Sequence, residues 1–264
     1  MKNSKVLRKL RAGEIVSCVK LNLDSSRAAE MAAMAGFDCL WLCMEHVPND
    51  LALIERQILA AKAYDADTMV RVPRGCYSDY IRPLELDATG IMVPHIMSLE
   101  DAKNVVRMTR FFPIGRRPID GGNSDGDFCA AEMVEYMEFA NRERFITVQI
   151  EDPEPLDDLD AIAALDGIDM LFFGPADFSQ GIGAPGQWND ERIIETRKRV
   201  AQAATKHGKF AGTTGNVNNI EELVDLGYTF LPMGSDVRTL TGFFNDTAFK
   251  FAQTAKKLGK EMVS

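Results

Sequence analysis

Short apolar runs alternate with longer amphipathic stretches along most of the chain. Runs at 15–20, 39–44, 68–72, 90–93, 146–150, 170–173, 210–213 and 229–232 are four to six residues long and apolar-rich. Such runs predict strands buried on both faces, as in a parallel sheet. The stretches between them, at 25–35, 50–64, 80–87, 99–110, 129–141, 156–165, 190–207 and 220–226, carry apolar residues at helical spacing. Strand then helix, eight times over, predicts an α/β fold of the (β/α)8 TIM barrel kind. A doubly wound open sheet is the other arrangement of such units. Eight units in about 230 residues favour closure, and no Gly-x-Gly-x-x-Gly follows the first run. One connection, 111–128, is longer than its neighbours and rich in Gly, Asp, Arg and Pro, which predicts a lid or binding loop. The tail, 245–264, predicts a further C-terminal helix, with Phe249, Phe251 and Leu258 available to pack on the barrel or on a neighbouring subunit.

Composition narrows the classes. The 264 residues are 46% hydrophobic and 26% charged, enough to bury the core of one barrel domain spanning 1–264. Net charge is −9, and no basic stripe with interleaved aromatics occurs, so nucleic acid is not an expected partner. Any anion site must therefore be local. The five cysteines are odd in number and form no Cys-x-x-Cys pair, which reads as reduced thiols and not as a disulfide frame or a zinc site. The basic stretch 1–11 lacks the apolar segment of a signal peptide, and no run approaches the ~20 apolar residues of a membrane span. Together these point to the cytoplasm and away from membranes.

In a barrel, chemistry belongs where strands end. The second run ends in Glu45-His46, the third contains Arg71, the fourth is followed by His95, the fifth by Glu151-Asp152 and the sixth by Gly174-Pro175-Ala176-Asp177. Glu151 and Asp177 lie at the ends of adjacent strands and form an oxygen pair suited to a hard divalent cation, Mg2+ or Mn2+. Asp177 also fits a helix cap, whereas Glu is a poor cap and Glu151 needs another reason to be there. Arg71 inside an apolar run is costly unless paired; its fork suits a substrate carboxylate, or a bridge to Glu45 or Glu151. His46 has the pKa range of a general base, with His95 as its competitor. The turn through Gly174, Pro175 and Ala176 would offer backbone N–H groups to a carboxylate or enolate. Lysine ends only the first run, at Lys20, so metal-assisted enolisation suits the rim better than a Schiff base.

Leu42-Cys43-Met44-Glu45-His46-Val47-Pro48-Asn49, Val70-Arg71-Val72-Pro73, Gly90-Ile91-Met92-Val93-Pro94, Val148-Gln149-Ile150-Glu151 and Phe173-Gly174-Pro175-Ala176-Asp177-Phe178-Ser179 resemble, in order and over nearly the whole chain, the HpcH/HpaI aldolase family. These are class II, metal-dependent pyruvate aldolases of the 4-hydroxy-2-oxoheptanedioate and 2-dehydro-3-deoxyglucarate type. The resemblance implies a modified barrel, a dimer-based homo-oligomer (commonly a hexamer) and a swapped C-terminal helix. It implies metal ligation by Glu151 and Asp177, with Co2+ as a third choice of ion. It also implies capture of the pyruvate carboxylate by Arg71, proton transfer by His46, and substrate contacts from the Gly174-Pro175-Ala176-Asp177-x-Ser179 motif. The chain departs from the pattern at Cys43, where the family has Asp. It departs again at Glu85, which replaces an Asp and is expected to reach His46, and in the loop Gly115–Asn123, whose Arg116, Arg117 and Asp120 are expected to read the aldehyde.

The expected activity is thus cleavage of a 4-hydroxy-2-oxo acid to pyruvate and an aldehyde through a metal-stabilised enolate. Two rivals stand beside it: a lyase acting on an acyl-CoA ester, as in the citrate-lyase-like branch, and a non-catalytic barrel that binds an oxo acid or a metal.

Overall fold

The computed structural model describes residues 1–260. Eight strands close into a barrel among them: β1 (Val16–Leu21), β2 (Cys39–Cys43), β3 (Asp67–Arg71), β4 (Gly90–Val93), β5 (Phe145–Ile150), β6 (Met170–Phe173), β7 (Phe210–Thr213) and β8 (Phe230–Ser235). Every pairing is parallel, each strand lies beside its sequence neighbours, and β8 returns to β1. All eight predicted strands are present. The helices are α1 (Lys5–Arg11), α2 (Ser26–Met34), α3 (Leu51–Lys62), α4 (Tyr77–Glu85), α5 (Leu99–Thr109), α6 (Met133–Glu143), α7 (Leu159–Ala163), α8 (Pro175–Gly181), α9 (Glu191–Lys206), α10 (Ile220–Asp225) and α11 (Asp236–Lys257). No helix among the described residues is long and apolar enough to cross a membrane.

Two apolar layers explain why the strand runs are continuous and not alternating. Outward side chains such as Leu40, Leu42, Val70, Ile91, Val148 and Leu171 pack against the helices. Inward ones, including Trp41, Met69, Met92, Phe145, Met170 and Phe172, fill the barrel. Helix α1, which the sequence reading left unassigned, closes the end where the strands begin, with Val6, Leu7 and Leu10 joining the interior layer. Ser4 caps it by accepting from Leu7 N–H, and Asp67 at the start of β3 accepts from both Ser4 Oγ and Val6 N–H at 2.8 Å. The plug is thereby tied to the barrel wall by a fully buried carboxylate.

The tail helix starts earlier than predicted. Gly234 at φ 96° turns the chain out of β8, Ser235 takes the cap position, and α11 runs on for 22 residues without burying one of them. The last four residues of the predicted tail lie outside the described residues. Of the five thiols, Cys18, Cys39 and Cys43 are buried and Cys76 and Cys129 exposed, and all are free.

Candidate active site

A cavity of about 300 Å³ opens at the end of the barrel where the strands finish. Trp41 and Phe172 meet edge to face at 5.4 Å and line it from the barrel interior. Arg71, His46, Gln149, Asp177 and the turn Gly174–Ala176 stand around it.

Register places Arg71 directly beside Cys43. Its Nη2 donates to Cys43 Sγ at 3.2 Å, its Nε lies 2.9 Å from Glu45 Oε2, and its guanidinium rests over the Trp41 ring at 4.9 Å. The Nε–H has no well-aligned acceptor although it is buried. Sulfur is a weak acceptor. The guanidinium is therefore fixed in place but under-used, which suits a group that awaits a carboxylate.

Glu45 links both histidines of the rim. His46 Nε2 lies 3.4 Å from Glu45 Oε2, and His95 Nε2 lies 3.6 Å from Oε1. His46 backbone N–H also donates to Cys43 Sγ at 3.4 Å. His95 is held differently. Its backbone sits at φ 50° and its N–H donates to Glu151 Oε1 at 3.0 Å, while Nδ1 is 2.8 Å from Asp152 Oδ2. Burial works against a charge on its ring, but the Asp152 hydrogen bond and the charges of Glu151, Asp152 and Glu45 outweigh burial and hold its pKa above the usual value. Of the two histidines, only His46 faces the cavity.

Glu151 is fully buried. Oε1 accepts from His95 and Oε2 from Gln149 Nε2, and Gly174 passes so close that a Cβ there would lie 2.6 Å from Oε2. Burial nevertheless pushes its pKa up to about 7, and the charge of Asp177 adds to the rise. Asp177 stands half-exposed in the first turn of α8. No group of three His, Cys, Asp or Glu side chains is arranged to hold a metal among the described residues. Glu151 and Asp177 are the two oxygen donors here that could hold a hard divalent cation, which would keep its remaining positions for water and substrate.

Three expectations are corrected. Glu85 ends α4 on the side where strands begin, and the groups that act on its charge are Arg117, Asp125, Asp120 and Arg82, not His46. Burial holds its pKa above the usual carboxylate value. Ser179 is buried away from the cavity, donating to Ala176 O at 2.7 Å and accepting from Gly186 N–H at 3.3 Å. The loop Gly115–Asn123 joins a helix to a helix before β5, so it too belongs to the strand-entry end. Arg117 is buried there over Phe111 and donates to Asp125 at 2.7 Å and to Tyr136 Oη at 3.2 Å. Arg116 lies over the Phe112 ring at 5.9 Å, and Asp120 accepts from Gly122 N–H.

A family model described as HpcH/HpaI aldolase/citrate lyase matches residues 18–242. The chain belongs to the HpcH/HpaI aldolase/citrate lyase family. It is 33% identical over 248 residues to a hydroxypyruvate/pyruvate aldolase of Roseobacter denitrificans, covering 93% of this chain and 96% of that protein. It is 31% identical over 236 residues to a 5-keto-4-deoxy-D-glucarate aldolase of Escherichia coli O157:H7, covering 89% and 90%. Among solved structures, an HpcH/HpaI aldolase/citrate lyase family protein from Burkholderia cenocepacia superposes with a TM-score of 0.87 at 30% identity, over 95% of this chain and 99% of that one. The HpcH/HpaI chain is accordingly an enzyme, a carbon–carbon lyase. Residues missed by sequence reasoning at its site are Trp41, Gln149, Phe172 and Arg238, all lining the cavity. The first three sit inside apolar runs, where position alone does not tell the barrel interior from its outer face.

Proposed function

We propose that the chain cleaves a 4-hydroxy-2-oxo acid between C3 and C4, releasing pyruvate and an aldehyde, with Mg2+ or Mn2+ as its cofactor. The observation that carries this reading is the meeting of Arg71, His46 and Asp177 around one cavity, with Glu151 buried behind it and near enough to feel the charge of Asp177. Glu151 and Asp177 would hold the cation, which supplies positive charge to polarise the 2-oxo group. Arg71 takes the carboxylate of the pyruvate half, with the Gly174–Ala176 turn closing over it. Trp41 and Phe172 exclude water from the enolate face. His46 accepts the proton of the 4-hydroxyl as the C3–C4 bond breaks. The electron pair of that bond passes to C3 as the enolate, and C3 is then protonated. Glu45, 3.4 Å from His46 Nε2, orients the ring.

The chain works as one barrel domain spanning residues 1–264, on small molecules only, as a dimer-based homo-oligomer such as a hexamer, and in the cytoplasm. Five free thiols and the uncovered α11 support this setting. The test follows hydrogen–deuterium exchange at the pyruvate methyl group by NMR. Exchange is expected with Mg2+ or Mn2+ and is expected to stop on chelation; its absence with Mg2+, Mn2+ and Co2+ alike overturns the reading.

A further inference from the structure

The cavity has a second half that pyruvate chemistry does not use. It is built by β7, β8 and β1, which are neighbours in the barrel, and by the start of α11. Two cations stand in it, Lys20 from the end of β1 and Arg238 from the first turn of α11. Neither has a carboxylate or hydrogen-bond partner among the described residues, in a chain whose net charge is −9. Lys20 Nζ rests over the Trp41 ring at 5.0 Å. Burial and the charge of Arg71 hold its pKa below the usual lysine value, against the opposing charges of Cys43, Glu45 and Asp177. The hydroxyls of Thr214 and Ser235 line the same half, and Ser235 makes no cap bond to α11. Trp41, 3% exposed, also lines the cavity, and its indole N–H has no acceptor.

We propose that Lys20 and Arg238 form an anion subsite, and that the aldehyde fragment carries a phosphate at the end remote from its carbonyl. The proposal rests on the reading of Arg71 as the holder of the pyruvate carboxylate, because that assignment leaves Lys20 and Arg238 for the other fragment. Two cations and two hydroxyls offer more donors than the two oxygens of a carboxylate use, and suit the three terminal oxygens of a phosphate; an N–H in the first turn of α11 is already taken by Asp236. The loops after strands seven and eight, with a helix start beside them, are also where barrel enzymes commonly hold phosphate.

The first test needs neither metal nor turnover. Inorganic phosphate is titrated calorimetrically into metal-free protein. Saturable binding is expected, weakened at least about tenfold by Lys20→Met and by Arg238→Gln and retained by Lys20→Arg and Arg238→Lys. No binding, or equal binding in all five proteins, overturns the subsite. Circular dichroism without phosphate separates misfolding from lost binding, and the charge-keeping pair serves if a charge-removing variant does not fold. The second test compares glyceraldehyde, glyceraldehyde 3-phosphate and succinic semialdehyde as aldol acceptors for pyruvate. The phosphorylated aldehyde is expected to show the lowest KM, an advantage lost in Arg238→Gln. Preference for succinic semialdehyde overturns the phosphate assignment, and no preference for either anion overturns the subsite. Pyruvate methyl exchange in the same samples keeps the two readings apart. Exchange without an anion preference sinks only the subsite, whereas loss of exchange sinks the proposed function.

Discussion

Gly174 shows how tightly the rim is built. A methyl group there would lie 2.6 Å from Glu151 Oε2 and 2.8 Å from Gln149 Nε2, so Gly174→Ala must push the buried carboxylate or its amide partner aside. The expected cost is ~1–3 kcal/mol of stability by denaturant unfolding, together with a loss of pyruvate exchange. Arg71→Lys tests the guanidinium fork, because a lysine keeps the charge but loses the planar donors that Cys43, Glu45 and a substrate carboxylate share. We expect kcat/KM for retro-aldol cleavage to fall about a hundredfold, ~2.7 kcal/mol of transition-state stabilisation; an unchanged value would remove Arg71 from the substrate contact. The placement of Arg71, Glu151 and Asp177 at the strand ends was legible in the sequence because a charged residue within or just after an apolar run has few structural excuses. Trp41 and Phe172 were not, since strands buried on both faces carry apolar residues toward interior and helices alike. Arg238 was hidden for another reason, lying in a helix whose start was read several residues late.

Among elements, the eight strands were legible and the plug was not, although Ser4 followed by Val6, Leu7 and Leu10 is a capped helix with one apolar face. Two carboxylates hold α1 to the barrel, and they respond to pH with opposite sign. For Asp38, burial pushes the pKa up, but hydrogen bonds from Lys9 at 2.7 Å and Ser17 at 3.0 Å outweigh it and hold the pKa below the usual carboxylate value. Its contribution to stability is present above the unfolded-state pKa and is lost as pH falls through the depressed folded value. Burial holds Asp67 above its usual value despite its bonds to Val6, Ser4 and Lys2, so that group binds a proton more tightly when folded and favours the fold as pH falls. Asp38→Asn should therefore lower stability at about pH 7 and flatten its decline between about pH 5 and pH 3, as read by urea unfolding. A variant that declines as steeply as the parent would remove Asp38 from the acid response. Connection order, which sequence alone provides, also shows why the loop 111–128 was misjudged. It joins α5 to α6 ahead of β5, and only loops that follow strands reach the catalytic rim. Glu85, at the end of a helix, is on the far side for the same reason.

At the scale of the whole molecule, the barrel is closed at one end by α1 and extended at the other by a helix that touches little. No residue of α11 is buried, and Phe243, Phe244, Phe249 and Phe251 are each about 60% exposed. Leu240, Phe244 and Phe251 line up along one face of this helix and are uncovered, an apolar stripe of the kind that marks an interface. A second copy of the chain would supply a cover of matching symmetry, because an isologous contact would let each α11 lie on its partner. Arg238 sits in the first turn of that helix, so association would also fix the anion-binding half of the cavity. Burying one phenylalanine contributes ~1.5–3 kcal/mol, so the double substitution Phe244→Asp with Phe251→Asp, two helical turns apart on one face, should remove ~3–6 kcal/mol from the contact and raise its Kd by about two to four orders of magnitude. Light scattering coupled to size exclusion should show an oligomer for the parent chain and a monomer for the double variant, whose circular dichroism remains that of a barrel. A parent chain that is monomeric at tens of micromolar would refute the assembly and return α11 to its own barrel.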